Sequence, residues 1–377
     1  MLLPKVGLPS IWAALAEDYL LLALLGVLVL FTLVEPRGLA GYPELVDWPT
    51  VATLAGLLVL TKGLELSGAL ARAGSALARR MPTERALALL LVAATALLAT
   101  TLTNDVALFV MVPLTLALRH GGALPVNRLI VFEALAANAG SVLTPVGNPQ
   151  NLFLWQRSGL PFAEFIAAMT PLAALLALPL LAMTAAAFSS RRLESLQAIR
   201  PPPMDRGLLL LSLGLYLPFL ILADLRQAPL ALALLAALFL FLRRQALMQA
   251  DWGLILVFIL MFIDLRLLAR LPQAQALLES AGLEQPQNLF LAGAAASQLI
   301  SNVPATILLA DFSRDWLTLA YAVNVGGFGF ALGSLANLIA LRMARDRQAW
   351  ITFHAWSVPL LLAGGALAYF WLFWPWF

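Results

Sequence analysis

Two stretches of this chain are polar where the sequence around them is apolar, and they repeat one spacing. In the first half, Thr103-Asn104-Asp105 is followed by Asn138-Ala139-Gly140, Gly147-Asn148 and Asn151. In the second half, Ser301-Asn302-Val303 is followed by Asn324-Val325-Gly326, Gly333-Ser334 and Asn337. Asn138 to Asn151 and Asn324 to Asn337 are both 13 positions apart. Around them run apolar segments, and a helix needs roughly 20 such residues to cross a bilayer. Matched Gly/Asn interruptions in two hydrophobic halves are the sequence pointer to a midplane site for a permeating solute. The expected fold class is an all-α polytopic membrane protein.

Composition excludes the main alternatives. Only 11% of the 377 residues are charged and 62% are hydrophobic, whereas soluble domains carry about 25% charged residues. The basic excess is not a nucleic-acid signal, because the arginines fall in short loops between apolar spans, where they set orientation. Cysteine is absent, so disulfides and thiolate metal sites are excluded. The two histidines, His120 and His354, have no partner at ligand spacing, so no metal site is expected beyond a candidate sodium ion. The N-terminus lacks the order of a cleaved signal peptide, and the first span is expected to stay.

Full spans are expected near 18–35, 48–70, 128–156, 163–187, 207–224, 228–242, 252–270, 316–343 and 352–374. Two further apolar segments, 84–119 and 288–313, are each broken centrally by polar residues. These read as re-entrant hairpins, since irregular backbone at membrane depth survives only where protein or a watery cavity satisfies it. With a cytoplasmic N-terminus, sixteen basic residues from Lys5 to Arg347 fall inside, against Arg37, Arg157, Arg226, Arg270 and Arg314 outside. That bias follows the positive-inside rule, and it collapses if the first hairpin is a single crossing. Five full spans separate the hairpins, so they enter from opposite sides as an inverted repeat. The first repeat covers 18–188 (hairpin 84–119, broken helix 128–156), the cytoplasmic linker covers 189–206 around Pro201-Pro202-Pro203, and the second half covers 207–374 (hairpin 288–313, broken helix 316–343).

Hairpin tips at mid-membrane expose helix ends. N-termini with free N–H groups suit an anion, while C-terminal carbonyls with Asn and Ser oxygens suit a hard cation such as sodium. The competing reading is interhelical packing by small polar residues. In the first broken span Pro145, Pro149 and Gly147 remove donors and loosen the backbone, freeing carbonyls beside Thr144, Asn148 and Asn151. The second break, Asn324 to Asn337 with Gly333 and Ser334, holds no proline, and close helix packing rivals an ion site there. Asp105 and Asp264 stand at apparent membrane depth, where a carboxylate is paired, protonated or ion-binding. Asp105, at a tip, is the better coupling candidate; Asp264 has an interfacial alternative. Lys62 and Glu65 are spaced to pair on one helix face. The tryptophans, including Trp12, Trp155, Trp316 and Trp356, read as an interfacial belt.

From the Ser67-Gly68 region to Asn337 these motifs resemble the ion transporter superfamily, which includes divalent anion/sodium symporters, citrate–metal transporters and carriers of the ArsB and NhaD type. The most specific part is Thr144-Pro-Val-Gly-Asn-Pro-Gln-Asn151, and length and order resemble bacterial anion transporters. The resemblance implies that Thr103, Asn104, Ser301 and Asn302 at the tips, with Gly147, Asn148, Gly333 and Ser334 at the breaks, bind sodium and substrate. It also implies elevator motion against a scaffold in a homodimer. Asp105 and Val303 stand where dicarboxylate carriers have threonine, which points toward the arsenite and sodium/proton branches. The expected function is cation-coupled transport of a small anion or inorganic ion across the bacterial cytoplasmic membrane, by sodium or proton. Arsenite or antimonite efflux, sodium/proton antiport and, in another class, a passive channel are the alternatives. No organic cofactor is expected, and an intramembrane enzyme is the least supported class, because no catalytic set occurs.

Overall fold

A computed structural model describes residues 19–78, 80–118, 124–193 and 203–374. Lys5, Trp12, Arg119, His120 and Pro201-Pro202 of the expected linker lie outside the described residues. Among those described, the chain is helical with no strand. In order come α1 (Tyr19–Val34), α2 (Trp48–Leu66), α3 (Ala69–Ala78), α4 (Glu84–Thr101), α5 (Asn104–Leu118), α6 (Val126–Ser141), α7 (Pro149–Ser158), α8 (Phe162–Ala187) and α9 (Arg206–Asp224). Then follow α10 (Ala228–Leu242), α11 (Arg244–Gln249), α12 (Trp252–Ala269), α13 (Pro272–Ser280), α14 (Pro286–Ile300), α15 (Asn302–Leu309), α16 (Trp316–Val325), α17 (Leu335–Ala344) and α18 (Arg347–Phe373). The short α3, α11 and α13 and a 3-10 segment at Pro36–Leu45 were not expected from the hydropathy pattern.

Aspartates fix where several helices start. Asp47, Asp205, Asp251 and Asp315 each accept from a backbone N–H three residues on, at 2.9–3.1 Å. Each therefore satisfies an orphan donor of its helix. A tryptophan follows three of them, at Trp48, Trp252 and Trp316, a residue that favours the membrane–water interface. Among the described residues, six helices (α2, α4, α8, α9, α12 and α18) are long and apolar enough to cross a bilayer. Large apolar side chains such as Leu210, Leu217, Phe241 and Leu362 point outward, which in lipid costs nothing.

Two packing groups emerge. In the first, α2 is buried from Thr50 to Leu64 except at Lys62, and α9, α10, α11 and α12 pack around it. Glycine permits the α2–α9 approach: a methyl on Gly56 would meet the Phe219 ring at 2.1 Å, and one on Gly63 would meet Ser212 Oγ at 2.2 Å. In the second group the hairpin α4/α5 packs along α6, and the hairpin α14/α15 packs with α16. Both α8 and α18 lie against α6 and against each other. The hairpins turn where the sequence reading puts their tips. Leu102-Thr103 link the first pair of arms, and Ser301 alone links the second, in a left-handed conformation (φ 73°) that non-glycine residues seldom adopt. Both long spans are interrupted as expected, α6/α7 over residues 142–148 and α16/α17 over 326–334.

Candidate functional site

The break between α6 and α7 is closed by its own asparagines. Asn148 caps α7, its Oδ1 accepting from Asn151 N at 2.9 Å. Its amide also donates to Ser141 O and Ser141 Oγ at 3.2 and 3.0 Å. Asn151 Nδ2 reaches the carbonyls of Ser141, Val142 and Thr144 at 3.2, 2.9 and 3.2 Å. These are the orphan acceptors left where the helix stops, and burial away from water makes leaving them unpaired costly. Gly147 is required here, because a Cβ would lie 2.2 Å from Ser141 O. Pro145 and Thr144 are buried in the same turn, and Thr144 Oγ1 donates to Thr100 O at 2.6 Å.

The two breaks grip each other reciprocally. Asn138 Nδ2 donates to Asn337 Oδ1 at 2.7 Å, and Asn324 Nδ2 donates to Asn151 Oδ1 at the same distance. The first asparagine of each break thus binds the last asparagine of the other. Asn148 Nδ2 adds a bond to Asn324 Oδ1 at 3.0 Å, and the carbonyl of Gly327 accepts from Asn138 and Asn337 at 3.2 and 2.9 Å. The amide orientations are fixed, since a carbonyl only accepts. Gly333 and Ser334 are buried in the second break, where Ser334 O accepts from Asn337 N at 3.1 Å.

The tips meet this lock. Asn104 N donates to Gly147 O at 2.8 Å, which ties the first tip to the first break. A methyl on Gly327 would lie 3.3 Å from Asn302 Nδ2 and 3.7 Å from Asn138 Cγ, so the second tip sits beside both breaks. Thr103, Asn104, Ser301 and Asn302 are all buried. A cavity of about 410 Å³ leads to the first tip, its walls including Thr103, Asp105, Lys62, Glu65, Gln249 and Asp251. Asp105 Oδ1 is buried and has no hydrogen-bond partner. At another corner, Asp311 just after α15 receives Arg157 at 2.9 Å and Arg266 at 3.6 Å, and Arg266 also donates to Leu45 O at 2.6 Å. That cluster ties α15 and α7 to α12.

Some sequence expectations need correction. Trp155 is fully buried, its indole N–H on Leu160 O at 2.8 Å and Arg226 stacked over its ring, so it takes no part in an interfacial belt. Asp264, on α12, is buried with both oxygens unpartnered. Lys62 and Glu65 pair as expected, at 2.6 Å. His354 lies within α18, at the second break, where its Nε2 accepts from Ala331 N at 3.3 Å. The sequence reading missed Glu133, a third buried carboxyl, which accepts a short hydrogen bond from Thr115. It also missed Thr100 and Gln298, which lie four residues before Asn104 and Asn302. Thr100 Oγ1 donates to Gly140 O at 2.8 Å, and Gln298 Nε2 donates to Gly326 O at 2.7 Å. Their signal was present: each is a polar residue on an apolar arm, at the same distance from its tip.

An all-helical body with polar hairpins and interlocked helix breaks buried among membrane-length helices defines a polytopic membrane transporter. The citrate transporter family profile matches residues 10–315, and the chain belongs to that family. It is 48% identical over 350 residues to the inner membrane protein YbiR of Escherichia coli, covering 93% of both chains. To an uncharacterized transporter of Methanocaldococcus jannaschii it is 30% identical over 325 residues, 84% of this chain and 86% of the relative. A shorter match, 32% over 126 residues, covers 33% of this chain and 26% of a silicon efflux transporter of Oryza sativa subsp. japonica. The chain is integral to the inner membrane and is a transporter, not an enzyme.

Proposed function

We propose that the chain is a cation-coupled secondary transporter of a small anion, in which the two hairpins and two broken helices move as one body against the scaffold around α2. The observation that carries this reading is the cavity of about 410 Å³ ending at Thr103 and Asp105, with the reciprocal asparagine lock beside it. Asp105 supplies the coupling charge: a buried carboxylate oxygen without a donor calls for a cation or a proton. Thr103, Asn104, Ser301 and Asn302, with the backbone of the two breaks, form the substrate and ion site. The symmetric exchange between Asn138–Asn337 and Asn324–Asn151 supports an inverted repeat of 18–188 and 207–374 joined by a linker at 189–206, the architecture from which alternating access arises. A homodimeric scaffold and an elevator stroke complete the proposal. The buried asparagine lock favours a carrier over an open channel, since it fills the space between the two breaks with paired side chains.

Export of a weakly acidic oxyanion such as arsenite, or sodium/proton exchange, is the second reading, and one observation favours it. Glu65, Asp105 and Asp251 outnumber Lys62 around the cavity, a balance that repels multiply charged anions. The partial likeness to a silicon efflux transporter points the same way. The test is flux in liposomes holding the purified chain, with carboxylates, phosphate, arsenite and silicate offered under imposed sodium or proton gradients. Saturable movement that follows one gradient is expected; non-saturable flux indifferent to both gradients rejects the carrier.

Orientation is tested separately in this cysteine-free chain. Arg244, exposed at the start of α11, falls inside if the N-terminus is cytoplasmic. A cysteine at Arg244 should react with an impermeant maleimide only after cells are opened, and labelling of intact cells inverts the topology.

A further inference from the structure

The resemblance implies sodium at the tips and breaks, with sodium or a proton as the coupling ion, so the donors actually present decide whether sodium fits. Resting on the coupled-carrier reading, we infer that Gln298 fills with its own carboxamide the place a coupling cation needs in the second break. The second half of this chain then holds no sodium, and the coupling cation is confined to Asp105 at the first tip.

Gln298 Nε2 donates to Gly326 O at 2.7 Å and Phe328 O at 3.0 Å, while its Oε1 accepts from Phe330 N at 2.8 Å. These three partners leave one orientation of the amide, with the nitrogen toward the carbonyls. Its hydrogens stand where a cation's charge would stand, against the same oxygens. The carbonyl between them, Gly327 O, is taken by Asn138 and Asn337. A hard cation is held by several oxygens at once, and the side chains of the second tip offer it only Asn302 Oδ1 and Ser301 Oγ, which contact each other at 3.4 Å.

The first half differs in chemistry, although its geometry is equivalent. Thr100 occupies the position of Gln298, four residues before the tip asparagine, and its target Gly140 corresponds to Gly326, two residues after the first lock asparagine. A hydroxyl donates one hydrogen and keeps two lone pairs, so Thr100 does not repel a cation as an amide nitrogen does. Of the two tips only the first carries a carboxylate, Asp105, whose buried oxygen has no donor and which lines the cavity. The two straps therefore predict an unequal pair of half-sites from one repeated backbone design.

The test is sodium-specific thermal stabilisation of the purified full chain, comparing sodium chloride with potassium chloride at equal ionic strength. Wild-type protein should show either no sodium-specific rise in Tm or one that Asp105→Asn abolishes. Gln298→Glu, which replaces the donor by an anionic oxygen, should gain a rise of a few degrees that survives Asp105→Asn. A wild-type sodium response that persists in Asp105→Asn, or that Gln298→Ala removes, overturns the inference, as does a folded Gln298→Glu protein indifferent to sodium. The comparison of wild type with Asp105→Asn needs no change at Gln298, so the inference stays exposed even if the Glu variant does not fold. Because Tm reports binding and not flux, a failed transport assay rejects the carrier reading and leaves this result intact.

Discussion

Gly140→Ala should strip the protein of its folded hairpin body. An added Cβ would lie 2.1 Å from Ala96 O and 2.5 Å from Ala96 Cα. Both are backbone atoms of α4, so no side-chain rotation relieves the clash. The arm α4 must move away from α6, and two bonds that need its present position go with it, Thr100 Oγ1 to Gly140 O and Thr144 Oγ1 to Thr100 O, at 2.8 and 2.6 Å. Overpacking alone costs about 1–3 kcal/mol, and each buried group left unpaired adds roughly 1–3 kcal/mol. The sum rivals the 5–15 kcal/mol by which domains are stable. Gly214→Ala on α9 is the matched control, because nothing lies within 4 Å of its added methyl; helix propensity there favours alanine by about 1 kcal/mol. Thermal unfolding followed by size-exclusion should find the Gly214 variant intact and the Gly140 variant aggregated or many degrees less stable. Equal behaviour of the two would mean that α4 and α6 do not approach as described.

What the sequence disclosed and what it hid follow from where each signal resides. The tips and breaks were legible because Asn, Gly and Pro inside apolar runs are costly unless the backbone must bend there. Their spacing survived into the structure as the limits of α5, α7, α15 and α17. The partnership of the breaks was not legible. Equal 13-residue spacings show that two segments are alike; that Asn138 reaches Asn337 while Asn324 reaches Asn151 depends on how the halves are laid together. Trp155 was misread because a tryptophan near the end of a span has one composition whether lipid or protein covers it. The Leu160 carbonyl and the Arg226 guanidinium decided the matter, and neither is a neighbour on its own helix. Glu133 was missed for the same reason: its hydroxyl partner Thr115 comes from the other arm of the fold, 18 residues away. Thr100 and Gln298 lie between these cases. Their distance from the tips is plain in the sequence, but a polar residue on a hairpin arm gains meaning only when the carbonyl it reaches is known.

Asp105→Asn separates the coupling charge from the architecture that holds it. The substitution keeps shape and volume and removes only the ability to carry charge or a proton. Stability should change little. Asp105 lies in the first turn of α5, its N–H bonded to Asn104 Oδ1 at 3.0 Å, and a carboxylate so placed gains about 0.3–1 kcal/mol from the helix dipole. The neutral amide forfeits that gain but avoids burying a charge at an oxygen with no donor, so the two effects largely offset. Transport should respond quite differently. If Asp105 binds or carries the coupling cation, gradient-driven accumulation in liposomes should fall by at least tenfold, the factor that about 1.4 kcal/mol of lost interaction supplies. Counterflow exchange of substrate under zero gradient should fall much less, because the lock of Asn138, Asn151, Asn324 and Asn337 is untouched. The dependence of flux on external pH or sodium should flatten in the same variant. A merely structural aspartate would depress driven uptake and exchange together and leave those dependences unchanged in form. Two parallel losses with an intact pH and sodium profile would therefore remove Asp105 from the coupling mechanism, and with it the link between this cavity and the driving ion.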